Sequence, residues 1–175
     1  MAAIRILNSK DGLNIGARHI SISTVGVEGG INKLTKEPLQ INLAISLHAP
    51  NDELRTRIVP ANKAHSLKAF LDAVDNYLKE TKRKVMFQYI MIKGVNDSPD
   101  LAGELINLLR RFKKSLFMVN LILYNPTGVF EPSEKEQIKK FRQVLEEQGI
   151  EVTERYRFGR GIKAACGQLA SKDTE

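Results

Sequence analysis

An α/β fold built on a mainly parallel sheet is predicted by two observations. Apolar, β-rich runs alternate with helix-period segments to the end of the chain. Two of those runs, Val85 to Ile92 and Leu116 to Leu123, are nearly continuous in apolar residues, which is how strands buried on both faces of a parallel sheet read.

Each element has its own signal. Ala2 to Leu7 reads as a helix fragment, followed by the turn Asn8-Ser9-Lys10-Asp11-Gly12. The first strand run is His19 to Val25, ending at Gly26, and the second is Ile41 to Leu47. A short helix starts at Asn51 or Asp52 and stops before Pro60. Ser66 is an N-cap for a helix with Leu67, Phe70, Leu71, Val74 and Leu78 on one face. After the third run, Asp97 or Ser98 caps a helix with Pro99 in its first turn and Leu101, Leu105, Leu108 and Phe112 inward. After the fourth run, Ser133-x-x-Glu136 reads as a capping box, Ile138, Phe141, Val144 and Leu145 form the stripe, and Gly149 suits C′. A weaker fifth run spans Ile150 to Arg155. A sheet that opens on half a helix looks cut, so strands are expected upstream in a longer parent. Residues 1–170 read as one domain and 171–175 as a frayed tail.

Composition narrows the function. The 175 residues are 42% hydrophobic, ordinary for a globular chain, yet no apolar run approaches the roughly 20 residues of a membrane span. Cys166 is the single cysteine, which excludes an internal disulfide, a Cys-rich zinc site and an iron–sulfur cluster held by this chain's own thiolates. It also suits a reducing, cytoplasmic setting. Lys plus Arg number 27 against 20 Asp plus Glu, a net charge of +7 that favours a polyanionic partner.

Ligands of parallel α/β folds bind beyond the carboxyl ends of the strands. Polar and glycine residues gather there four times: Ser23-Thr24-Val25-Gly26, Ser46-Leu47-His48-Ala49-Pro50, Lys93-Gly94-Val95-Asn96-Asp97 and Tyr124-Asn125-Pro126. Such residues also end strands without any ligand, but four coincident clusters point to a pocket at one mouth. His19 and His65 have no ligand spacing to His48, so no metal site is expected. There is no nucleophile elbow and no P-loop, and Gly26-Val27-Glu28-Gly29-Gly30 is not a dinucleotide fingerprint. Cys166 follows Arg155, Arg157, Arg160 and Lys163, cations that favour a thiolate; a buried, inert thiol is the alternative.

These segments resemble a known family, the radical S-adenosylmethionine (SAM) adenine C2 methyltransferases of large-subunit ribosomal RNA, the RlmN family. The resemblance runs from about Ala3 to Ala170. It is carried by Gly16-Ala17-Arg18-His19-Ile20-Ser21-Ile22-Ser23-Thr24, Ala44-Ile45-Ser46-Leu47-His48-Ala49-Pro50-Asn51-Asp52 and Ile58-Val59-Pro60-Ala61-Asn62-Lys63. It continues in Gly94-Val95-Asn96-Asp97-Ser98, Asn120-Leu121-Ile122 with Tyr124-Asn125-Pro126, and Ala164-Ala165-Cys166-Gly167-Gln168-Leu169. It implies the later strands of a partial (β/α) barrel, with Ser23, Ser46, Leu47, His48 and Asn125 contacting SAM. It implies that Cys166 accepts a methyl group from one SAM and that a radical from a second SAM drives transfer to an adenine. Large-subunit rRNA, with tRNA as a second substrate, is the implied partner. A [4Fe-4S] cluster is the implied second cofactor, but its Cys-x-x-x-Cys-x-x-Cys ligands are absent here. The Gly-Glu-Pro segment and the resolving cysteine are absent too, so this chain alone is expected to be inactive. Gln88 stands where the family often has Glu, and Gly161 stands near an expected acid. Methylation at adenine C8 by the same chemistry and a non-catalytic basic RNA-binding module are the competing readings.

The charge balance makes a direct prediction. RNA binding by the chain should weaken steeply as salt rises, because phosphate contacts release counterions. Filter binding across a potassium chloride series measures it; no binding at low salt, or a salt-independent affinity, contradicts it.

Overall fold

The computed structural model describes residues 1–155. Five strands form one parallel sheet in the order β1-β2-β3-β4-β5. They are β1 (Ser21–Thr24), β2 (Asn42–Ser46), β3 (Val85–Met91), β4 (Phe117–Leu123) and β5 (Val152–Glu154). The helices are α1 (Ala2–Asn8), α2 (Glu28–Thr35), α3 (Asp52–Ile58), α4 (Leu67–Thr81), α5 (Pro99–Leu109) and α6 (Lys135–Glu147).

Sequential strand order has a geometric consequence. Parallel crossovers are right-handed, so when each strand is added on the same side of its predecessor every connecting helix falls on one face of the sheet. Strand alternation then divides the residues. Leu43, Ile45, Val85, Phe87, Tyr89, Met91, Phe117, Val119 and Leu121 are buried on the helical side. Phe87 stacks on Phe112 at 5.7 Å and meets Phe117 edge-on, and Tyr89 lies 5.1 Å from Phe141, so α6 and the segment that follows α5 are tied to the sheet through aromatic rings.

The opposite face, the open face of the sheet, is less fully buried, with Ala44 and Asn120 buried and its β3 residues half-buried, and this corrects an expectation. β3 was expected to be buried on both faces. Instead it alternates between buried and half-buried positions, with Met86, Gln88 and Ile90 on the half-buried side. Apolar residues on that side come from strands that no helix of the described residues covers. The architecture is the expected partial barrel wall.

Helix starts follow local chemistry. The Asn51, Ser66 and Ser98 side chains accept the backbone N–H of Leu54, Ala69 and Leu101, as capping predicts. Gly149 at φ 68° follows the C-cap Gln148, as expected. The Ser133 capping box does not form. The N-cap of α6 is Glu134 without a side-chain cap, and Ser133 is buried with its N–H on Met91 O. In α5 the stripe is rotated: Ala102, Leu105, Ile106 and Leu109 are buried, while Leu101 and Leu108 are only partly so.

Sequence reasoning missed α2 altogether. Its first turn contains Gly29 and Gly30, the poorest helix formers after proline, yet Ile31 and Leu34 bury against the core and hold it helical. Gly26 has a different role. Its φ is 101°, and a Cβ there would sit 2.8 Å from the Phe70 ring. Opposite stability effects follow. Gly29→Ala, whose Cβ meets nothing within 4 Å, should stabilise by about 0.5–1 kcal/mol. Gly26→Ala should destabilise by about 1–3 kcal/mol. Urea unfolding of both variants checks the pair, and equal effects would contradict these environments.

Candidate functional site

All four polar clusters lie along one carboxyl edge of the sheet. Ser23 sits on β1, exposed, on the open face. Register puts Ser21 beside Asn42 and Ser23 beside Ala44, so Ser46, two residues on, shares that face. The same row continues from Ser46 to Gln88, Asn120 and Thr153 across four strands. Thr153 donates to Asn120 Oδ1 at 2.9 Å. Sequence reasoning did not collect this polar row, although register and the period-2 rule define it.

The ladder between β2 and β3 ends at Ser46 and Gln88. Beyond it the Leu47 and His48 N–H groups both reach Gln88 O, at 3.0 and 3.2 Å. Leu47 turns its side chain into the helical core and is fully buried, so only its backbone remains at the rim. His48 adopts φ 63°, a left-handed conformation uncommon for a residue with a Cβ. Its Nδ1 accepts the N–H of Ile90 at 3.1 Å. A neutral ring that accepts at Nδ1 carries its proton at Nε2. Burial first, then the Arg55 guanidinium, pushes this imidazole down to about 4, with the Gln88 backbone opposing.

Two buried side chains that sequence reasoning did not single out hold this strand end. Arg55, on α3, is fully buried. It donates from Nε to Leu47 O at 3.0 Å and from Nη2 to Ser46 O at 3.1 Å and Val25 O at 2.5 Å. Its Nη1 reaches Asn62 Oδ1 at 2.5 Å, and its Cζ lies 4.7 Å from the Phe70 ring centroid. Burial lowers its pKa, with Asp52 opposing. Asn96, also fully buried, donates to His48 O at 2.9 Å and Ile90 O at 2.6 Å, and accepts from Ile92 N–H. Its own carbonyl accepts from Tyr89 Oη at 2.8 Å. The Gly94-Val95-Asn96-Asp97 cluster is therefore a clip on β2 and β3, a role that its turn-like composition concealed.

Asn125 follows β4 at the same edge, half-buried. Cys166, Arg157, Arg160, Lys163 and Gly161, with the 171–175 tail, lie outside the described residues. No group of three or more His, Cys, Asp or Glu suited to a metal occurs among the described residues. His65 is engaged elsewhere, its Nδ1 2.8 Å from Glu28 Oε2. No helix among the described residues is long and apolar enough to cross a membrane. A separate cleft of about 390 Å³ lies between α6 and the ends of β4 and β5, lined by Leu121, Leu123, Ile138, Lys139 and Arg155.

The depressed His48 pKa fixes a sign. An unfolded imidazole titrates near 6.5 and the folded one near 4, so the unfolded chain binds more protons between those values. The stability held by neutral His48 is complete above about pH 6.5 and is lost as pH falls towards 4. A ring-resonance titration should place the midpoint near 4; a midpoint near 6.5 contradicts the half-buried, clamped ring.

No family model matches the chain. The protein of Caldicellulosiruptor saccharolyticus named "Probable dual-specificity RNA methyltransferase RlmN" is 52% identical over 171 residues, covering 97% of this chain and 49% of that protein. The crystal structure of a radical SAM methyltransferase from Sphaerobacter thermophilus superposes with a TM-score of 0.89 at 46% identity, covering 94% of this chain and 48% of that one. A domain of pyruvate-formate lyase-activating enzyme from Bacteroides vulgatus shares the fold alone, with a TM-score of 0.60 at 15% identity over 78% of this chain and 80% of that one. The chain spans about half the length of the curated relatives it matches. Over nearly its whole length the chain is thus similar in sequence to proteins named RlmN and in fold to a radical SAM methyltransferase, across about half of each.

Proposed function

We propose that this chain is the C-terminal portion of a radical SAM methyltransferase that methylates C2 of an adenine in large-subunit rRNA and in tRNA. The observation that carries the reading is the Ser46-Leu47-His48 strand end, held in one unusual backbone conformation at the rim of a partial barrel wall. The high identity to dual-specificity RNA methyltransferases supports the substrate class. The net charge of +7 suits an RNA partner, and a cytoplasmic setting follows from such a substrate.

The residues at the rim fit the nucleoside end of SAM. Ser46 offers a hydroxyl on the open face, His48 a neutral ring with its donor at Nε2, and Asn125 an amide at the end of β4. Leu47 contributes backbone, and Ser23 a second hydroxyl one strand away. SAM supplies the methyl group and the radical that an unreactive adenine C2 requires. The protein's part is to orient it, and neutrality of His48 matters because a cationic ring would repel the sulfonium. Cys166 is the proposed methyl acceptor.

A [4Fe-4S] cluster does not fit this chain. Such clusters take three or four thiolates, and Cys166 is the single cysteine. The cluster therefore belongs to a part of the enzyme that this sequence does not contain. Anaerobic incubation of the chain with iron and sulfide should leave it colourless and without stoichiometric iron; a bound cluster would overturn that division. In an assembled enzyme that includes this chain, Cys166→Ala should abolish adenine methylation while leaving RNA affinity in place. Product analysis by mass spectrometry reads it, and full turnover by the variant would remove the assigned role. A product methylated at C8 would instead favour the sister chemistry.

A further inference from the structure

The carbonyls at the end of β2 raise an accounting question. A parallel strand that leaves its ladder must find new donors for its last carbonyls, since a buried C=O without one costs free energy. Ser46 O lies at the last paired residue and Leu47 O just beyond it. The N–H of Ile90, the next donor along β3, goes instead to the His48 ring. Arg55 supplies the missing donors, one to each carbonyl, and a third to Val25 O at the end of β1.

The arrangement is an exchange of partners. Arg55 satisfies the carbonyls, and this leaves Ile90 N–H available to the imidazole. The fork of the guanidinium matters, because three donors on one rigid plane reach two neighbouring strand ends at once. Among the described residues no carboxylate hydrogen-bonds the guanidinium. Asp52, the acid whose charge acts on Arg55, has Oδ1 committed to Asn62 Nδ2 and Leu67 N–H, both at 2.9 Å. Arg55 therefore has carbonyl dipoles, the Asn62 amide and the Phe70 ring as its partners. A purely structural ion pair would look different.

We propose that Arg55 is a positioning residue that keeps His48 seated with Nδ1 on Ile90 and Nε2–H presented to the adenosyl end of SAM. The ligand in this statement rests on the reading given under the proposed function; the seating of His48 does not. Without Arg55, the Leu47 carbonyl competes for Ile90 N–H, Ser46 O loses its donor, and the ring is released from its left-handed seat.

The experiment uses the chain as it stands, labelled with 15N. In the wild type, His48 should show the Nε2–H tautomer, Ile90 should exchange slowly, and the Arg55 Nε–H should be visible and protected. Arg55→Met should shift His48 to a mixed tautomer and speed Ile90 exchange. It should also weaken SAM binding, read by equilibrium dialysis, by about ten- to hundredfold. Arg55→Lys keeps the charge without the fork and should reproduce most of the loss. The exposed neighbour Arg57→Met should change none of these signals. A folded Arg55 variant with the His48 tautomer and Ile90 exchange unchanged overturns the proposal. If both variants fail to fold, the wild-type measurement decides: an Arg55 Nε–H exchanging at solvent rates overturns it, and protection supports it. A wild-type chain that binds no SAM, but whose His48 signals respond to Arg55, upholds the positioning role and refutes the SAM reading of the rim.

Discussion

Backbone carbonyls at the end of a parallel strand must be given donors once the ladder stops, and the rim of this protein is organised by that requirement. β2 stops at Ser46 so that the chain can turn through a left-handed histidine. Three consecutive carbonyls, Ser46, Leu47 and His48, are then satisfied by side chains from elsewhere: two by Arg55 and one by Asn96. Each of those side chains is fully buried and is held in turn, Arg55 by Asn62 and the Phe70 ring, Asn96 through Tyr89 and Ile92. A polar network satisfied in this way fixes one geometry, because any half-made alternative leaves a buried group unpaired.

The requirement reaches back into the fold. Phe70 supports Arg55 from α4, and the same ring forbids a side chain at Gly26, where the chain leaves β1. Asp52 ties Asn62 and the start of α4 to α3. The turn after β1, the helix after β2 and the loop after β3 thus share one set of buried contacts. That is how a sheet with one uncovered face can still hold a precise edge. The uncovered face carries the row Ser46, Gln88, Asn120 and Thr153, polar residues that an ordinary sheet face packed on apolar side chains would not tolerate. Gln88, noted in the sequence only as a departure from the family's usual Glu, sits in the middle of this row.

Much of this was legible in the sequence, for identifiable reasons. The strands announced themselves through β-rich apolar runs, and three helix starts through Asn51, Ser66 and Ser98, because capping is local chemistry. The site segments were found because polar residues cluster after strands. What stayed hidden depended on tertiary packing. α2 carries two glycines in its first turn, and only burial of Ile31 and Leu34 makes it a helix. Ser133 matched a capping box by spacing, but the chain enters α6 one residue later. Arg55 sits in Asp-Glu-Leu-Arg-Thr-Arg-Ile, which reads as a solvated helix, and nothing local distinguishes it from the exposed Arg57. β3 read as buried on both sides because its residues are mostly apolar, whereas Met86, Gln88 and Ile90 are half-buried.

The central claim is that this rim receives the nucleoside end of SAM. Chemical-shift mapping of the labelled chain during titration with SAM tests it most directly. The account predicts perturbations concentrated at Ser23, Ser46 to His48, Ile90 and Asn125, with the His48 Nε2–H signal among the largest. No perturbation at saturating SAM would contradict it, and so would shifts confined to the cleft between α6 and β5 around Ile138 and Arg155.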